Sequence, residues 1–155
     1  MEAVEHVLRY LRTTWNETIT YTRGSRRVVG WVDDDWAGDT DTRRSHTGYI
    51  LIMNCGLISW KSRRQDNVSR STSEAEFFAS SQAAQEVVYL RETLCDFGYS
   101  QSTAIDIFED NLACIAMSEN PVRRKIDIRR YLVRDLVKAK IVKLTFSHTK
   151  WSPTP

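Results

Sequence analysis

The sequence predicts an α/β domain built on a five-stranded mixed sheet flanked by helices, and three observations carry that prediction. β-rich runs follow one another between Arg27 and Trp60 with no helical periodicity between them. The later strands are reached through helical stretches. The chain, 155 residues with 41% hydrophobic side chains, suits a single buried core. Three antiparallel strands followed by strands joined through helices give the order helix, β-β-β-α-β-α-α-β.

The elements follow from the side-chain pattern. Val4, Val7, Leu8 and Leu11 recur at helical spacing, so residues 2–15 form an amphipathic helix. Residues 19–21 read as a short strand, broken by Arg23-Gly24-Ser25. Residues 27–33, rich in valine with a tryptophan, read as a strand that ends in acid, and the polar stretch 38–45 reads as a loop. Residues 47–53 and 57–60 are β-rich runs around Asn54-Cys55-Gly56, a hairpin signal. Ala79, Ala83, Val87, Leu90, Leu94 and Phe97 hold one face of a long helix over 73–97, and Gly98 is placed to end it. Residues 104–109 make a fourth strand, 111–118 a short helix stopped before Pro121, and 141–147 the last strand. Between them a helix over 126–140 turns Ile128, Leu132, Val133, Leu136 and Val137 inward and Arg129, Arg130, Arg134 and Lys138 outward.

Composition narrows the class. No stretch approaches the ~20 apolar residues of a membrane span. The opening MEAVEHVLRYLR has no signal-peptide cleavage site, so an intracellular setting is expected, cytoplasmic or nuclear. Three scattered cysteines fit reduced thiols, and no Cys or His pair has zinc-ligand spacing. The net charge of +2 says little, but arginines are paired at Arg26-Arg27, Arg43-Arg44, Arg63-Arg64, Arg123-Arg124 and Arg129-Arg130. Such pairs make phosphate-facing patches or merely solvated faces, and the sequence leaves both open.

Strand ends are where sites are built in such sheets, and carboxylates gather there. The first strand ends in Asp33-Asp34-Asp35, the long helix opens with Glu74 and Glu76, and the fourth strand ends in Glu109-Asp110. Several carboxylates at one sheet end can clamp two divalent ions ~4 Å apart against one phosphate. Magnesium takes oxygen ligands and needs neither thiol nor imidazole. Each cluster also has a structural explanation: a turn at Asp33 to Asp35, a capping box of Ser73 with Glu76, and a helix cap at Asp110.

The stretches GWVDDDWAGDTDTRRSHTGYILIMNCGLISWKSRRQ (30–65), STSEAEFFA (71–79), IFEDNLACIAMSENPV (107–122) and IDIRRYLVRDLV (126–137) are specific and occur in order. Together they resemble the ribonuclease H domain of copia-type (Ty1/copia) retrotransposon Pol polyproteins. VLRYLRTTWNETITY (7–21) looks like the piece that joins the polymerase part to that domain, so residues 1–24 are expected to be a connecting segment and 25–155 the domain itself. The resemblance implies a ribonuclease H-like fold that cleaves the RNA strand of an RNA–DNA hybrid with Mg²⁺ or Mn²⁺, next to a reverse transcriptase moiety. Matched by motif, it implies Asp33, Glu76 and Asp110 as catalytic and metal-binding residues. Asp35 is a candidate just outside the direct ligands. Glu74, two residues from Glu76, points to another helix face. Arg43, Arg44, Arg63, Arg64, Arg123 and Arg124 are the candidates for nucleic-acid contact.

The resemblance also marks departures. The family follows its last strand with Thr-x-x-Gln-x-Ala-Asp, whose Asp completes the site; here the stretch reads TKWSPTP, with Pro155 at the Asp position and the closing helix absent. NPVRRKID (120–127) is shorter than its family counterpart and lacks a histidine before Ile-Asp. The expectation is therefore impaired hybrid cleavage. The alternatives are an inactive nucleic-acid-binding remnant and a transposon fragment without function.

Overall fold

The computed structural model describes residues 2–35, 45–65, 71–119 and 128–148. After helix α1 (Glu2–Thr13) come strands β1 (Val29–Asp35), β2 (His46–Met53) and β3 (Gly56–Arg64), then helix α2 (Thr72–Asp96) and strand β4 (Ile105–Glu109). Helices α3 (Leu112–Glu119) and α4 (Ile128–Lys138) lead to strand β5 (Val142–Phe146). The sheet runs β3-β2-β1-β4-β5, antiparallel from β3 to β1 and parallel from β1 through β4 to β5. This is the expected five-stranded mixed sheet, with the connection from β3 to β4 running through α2.

Period-two alternation sorts the strands into two faces. Val28, Val32, Leu51, Ile105, Ile107, Val142 and Leu144 are buried on one face, where α2 contributes Ala79, Ala83, Ala84 and Val87. A stripe of alanines lets a helix lie close to a sheet. A β-carbon added at Gly30 would come 2.6 Å from Leu51 Cδ2, so that face is packed tightly beneath β1. On the opposite face Trp31 stacks on Phe108, with ring centroids 5.1 Å apart.

Turns and caps fix the ends. Met53 pairs with Gly56 across a two-residue turn in which Asn54 and Cys55 have φ of 54° and 62°. Both central residues with positive φ define the turn type whose twist suits a hairpin. Helix α2 ends at Gly98, φ 79°, whose N–H donates to Cys95 O while Tyr99 N–H donates to Leu94 O at 2.7 Å. That is the paired bonding of a glycine-terminated helix.

Residues 19–21 correct the sequence reading: they are not a strand. The segment is pinned by separate bonds, Thr22 N–H to Asn54 O at 3.0 Å and the Tyr21 hydroxyl to Leu57 O at 2.6 Å, without a ladder. Helix α1 is amphipathic as expected, yet Val4, Val7, Leu8 and Leu11 are all more than half exposed. No described helix is long and apolar enough to cross a membrane.

Candidate functional site

Parallel pairing of β1 with β4 brings Trp31 opposite Phe108, so two residues further on Asp33 and Asp110 reach the same end of the sheet. Helix α2 starts above that end and delivers Glu76 within its first turns. Carboxylate oxygens of Glu76, Glu109 and Asp110 lie within 4.8 Å of one another. Asp33 is not one of that tight group. It is exposed, and with Glu109 and Asp110 it lines a cleft of about 360 Å³ on the Trp31–Phe108 face, where Lys61 and His148 also sit. Asp35 closes β1.

The structural explanations for these acids fail in turn. The N-cap of α2 is Ser71, whose hydroxyl accepts from Glu74 N–H at 3.2 Å, so Ser73 and Glu76 form no capping box. Helix α3 is capped by Asn111, whose Oδ1 accepts from Ala113 N–H and Cys114 N–H at 3.0 and 3.1 Å, so Asp110 is not its cap. Asp33 to Asp35 continue β1, paired with Gly48, Thr47 and His46, and make no turn.

Two acids that the sequence reading did not single out are buried at this end. Glu109, 1% exposed, accepts the Ser80 hydroxyl at Oε2 (2.7 Å) and Asn111 N–H at Oε1 (3.1 Å). Asp34 takes the Thr47 hydroxyl (2.9 Å) and Gln65 Nε2 (2.8 Å) on Oδ1. Alternation was the available signal: Asp34 continues the face of Val28 and Val32, and Glu109 that of Ile105 and Ile107.

Burial and mutual repulsion dominate the electrostatics. Burial first, then the charges of Glu109, Asp110, Asp34 and Asp33, push Glu76 up to about 9. Burial raises Glu109 to about 7 against the opposing hydrogen bonds from Ser80 and Asn111. Burial also raises Asp34, although the hydrogen bonds from Thr47, Gln65 and Ser45 oppose it. So much negative charge in one place calls for protons or cations.

The residues fit a hard divalent cation. Every donor is a carboxylate oxygen, the ligand chemistry of Mg²⁺ and Mn²⁺. Within the cluster, Glu76 Oε2 is buried with no hydrogen-bond partner, a costly state that a bound cation would relieve.

Of the arginine pairs, Arg63 and Arg64 are exposed on β3, where Arg64 pairs with His46 and His46 with Asp35, which sets them at the carboxylate end of the sheet. Arg43, Arg44, Arg123, Arg124 and Pro155 lie outside the described residues.

No protein-family model matches the chain. In sequence it is 33% identical over 156 positions to the "Retrovirus-related Pol polyprotein from transposon TNT 1-94" of Nicotiana tabacum, an alignment covering 98% of this chain and 12% of that protein. It is 29% identical over 154 positions to the corresponding polyprotein from transposon RE1 of Arabidopsis thaliana, covering 96% and 10%. It is also 44% identical over 90 positions to the "Secreted RxLR effector protein 161" of Plasmopara viticola, covering 57% of this chain and 63% of that one. Among solved structures it superposes on the PFV RNase H domain with a TM-score of 0.57 at 10% identity, covering 85% of this chain and 86% of that one. LC11-RNase H1, isolated from compost, gives 0.54 at 12% identity, covering 81% and 86%.

The fold is thus ribonuclease H-like, since likeness at such low identity bears on fold alone. The chain's homologues are retrovirus-related Pol polyproteins from copia-type transposons, of whose length it spans about a tenth.

Proposed function

We propose that this chain is a ribonuclease H-type domain of a copia-type Pol polyprotein, acting on the RNA strand of an RNA–DNA hybrid with Mg²⁺ or Mn²⁺. The observation that carries the reading is the gathering of Glu76, Glu109 and Asp110 within 4.8 Å, with Asp33 on the same sheet end. Asp33, Glu76 and Asp110 are the residues that would hold the ions. Ions held there would supply the Lewis-acid chemistry of an in-line displacement at phosphorus, water activation on one side and charge stabilisation at the leaving oxygen on the other.

The chain's own residues do the rest. Ser80 and Asn111 fix Glu109, and Thr47 and Gln65 fix Asp34, so the acidic wall is held before any ligand arrives. The cleft lined by Trp31, Lys61, Phe108 and His148 gives the scissile strand an aromatic floor and a cationic rim. Arg63 and Arg64 would meet backbone phosphates of the hybrid, a role supported by their position at the carboxylate end of β3. Two neighbouring structures bear on this reading: one is an RNase H1 in complex with an RNA/DNA hybrid, the other a foamy-virus protease–reverse transcriptase. Residues 1–24, with the exposed apolar stripe of α1, would then join the domain to a polymerase part.

Turnover is low on this reading, because Pro155 stands where the resemblance expects an aspartate and proline has no side-chain oxygen. The test is cleavage of a labelled hybrid in Mg²⁺. The chain itself should cut weakly, Pro155→Asp should raise the rate by on the order of 10²-fold, and Asp110→Asn in that background should abolish it. Cutting that survives Asp110→Asn would overturn the assignment. Robust cutting by the unaltered chain, lost on Asp110→Asn, would show that its carboxylates suffice without an aspartate at 155.

A further inference from the structure

We propose that Glu109 is itself a cation ligand, so that one divalent ion is held by Glu76, Glu109 and Asp110, with Asp33 contributing less to its affinity. The inference deepens the functional reading above and rests on it.

The geometry separates these acids. Oxygens of Glu76, Glu109 and Asp110 lie within 4.8 Å of one another, and Asp33 is outside that group. Two oxygens sharing an ion at about 2.1 Å lie at most about 4.2 Å apart, so oxygens within 4.8 Å of one another need only a small side-chain adjustment to close on it. Glu76 is 4% exposed and keeps Oε2 without a hydrogen-bond partner, so one lone-pair-bearing atom of the cluster is buried with nothing to bind. Glu109 is 1% exposed and held through both oxygens, by the Ser80 hydroxyl and by Asn111 N–H. Each carboxylate oxygen accepts more than one bond, so these contacts orient Glu109 without exhausting it. They serve it as outer hydrogen bonds serve a metal ligand.

A fold gains nothing from burying two facing glutamates beside an aspartate for packing alone. Leucine or methionine would fill the same space at the end of β4 without the desolvation cost. A cation turns that cost into binding energy. Glu109 ends β4 and Asp110 follows it directly, while Glu76 comes from the first turns of α2, so two elements supply the three carboxylates.

The experiment is Mn²⁺ titration of the purified chain, followed by the paramagnetic resonance signal of free Mn²⁺ and by the Mn²⁺-induced rise in melting temperature. Glu109→Gln should weaken binding by at least about tenfold, the range lost even when a residue behind a ligand is removed. Asp33→Asn should weaken it less. Glu109→Asp, which keeps the charge but withdraws the oxygens, should also weaken it, which a purely electrostatic role would not produce. Should Glu109→Gln fail to fold, Ser80→Ala is read in its place, with a several-fold loss expected. Unchanged affinity in the Glu109 variants, or in Ser80→Ala where it stands in for them, overturns the role of Glu109 alone. No saturable binding by the unaltered chain overturns both this inference and the functional reading.

Discussion

Glu76 concentrates the energetics of the site into one side chain. Its folded-state pKa is about 9 against 4.5 for the free group, mainly from burial and then from the neighbouring acids. The folded chain therefore binds a proton that the unfolded chain releases between those values, and stability falls as pH rises through that window. Glu109, raised to about 7, adds to the loss over the lower part of it. Thermal unfolding in a chelator should show a melting temperature highest near pH 5 and declining toward pH 9. Glu76→Gln should flatten the decline and raise the pH 8 melting temperature by about 3 °C or more. A melting temperature that is level across this range, or that rises with pH, would contradict the account. Glu76 and Asp110, two members of the carboxylate cluster, were legible because each sits in a motif at an element boundary. The sequence concealed Glu109 and Asp34, because a carboxylate continuing a buried strand face reads as the solvated partner of its neighbour until the covering helix is in place.

At the scale of elements, the ends of α2 decide where Glu76 points. Ser71 caps the helix and Gly98 closes it. Ser71→Ala should cost about 1 kcal/mol of stability and lower the melting temperature by about 3 °C, measurable by calorimetry. Gly98→Ala, which forces a β-carbon onto φ 79°, should cost a similar amount. The Ser71 change should also weaken Mn²⁺ binding, because it loosens the turn that carries Glu76, whereas the Gly98 change, at the far end, should not. Equal effects on metal binding would contradict this division. Periodicity made the five strands and four helices legible to within a few residues, and the β2–β3 turn was legible from Asn54-Cys55-Gly56. Residues 19–21 misled because Ile19 and Tyr21 alternate like a strand, yet the segment is held by single bonds to Asn54 in the β2–β3 turn and to Leu57 at the start of β3. The capping box assigned to Ser73 and Glu76 failed for a simpler reason. Ser71 competes for the same role two residues earlier, with Glu74 at the matching offset.

For the whole molecule, Arg63 and Arg64 stand exposed at the acidic end of the sheet, which makes salt dependence a test of the proposed hybrid binding. If Arg63, Arg64 and the other pairs contact phosphates, the logarithm of hybrid affinity should fall with the logarithm of salt by ~0.9 per contact. Arg63→Ala with Arg64→Ala should reduce that slope by about 2. A salt-independent affinity would remove the arginines from the interface. The fold class was legible because strand order and helix placement follow from local pattern. The make-up of the carboxylate cluster was not, since it depends on Glu76 from α2 meeting Glu109 and Asp110 at the end of β4. The most direct measurement is therefore the anomalous scattering of manganese in crystals of this chain soaked in Mn²⁺. The account predicts a peak bounded by Glu76, Glu109 and Asp110 at the end of the sheet. Ordered carboxylates there with no manganese between them would contradict it.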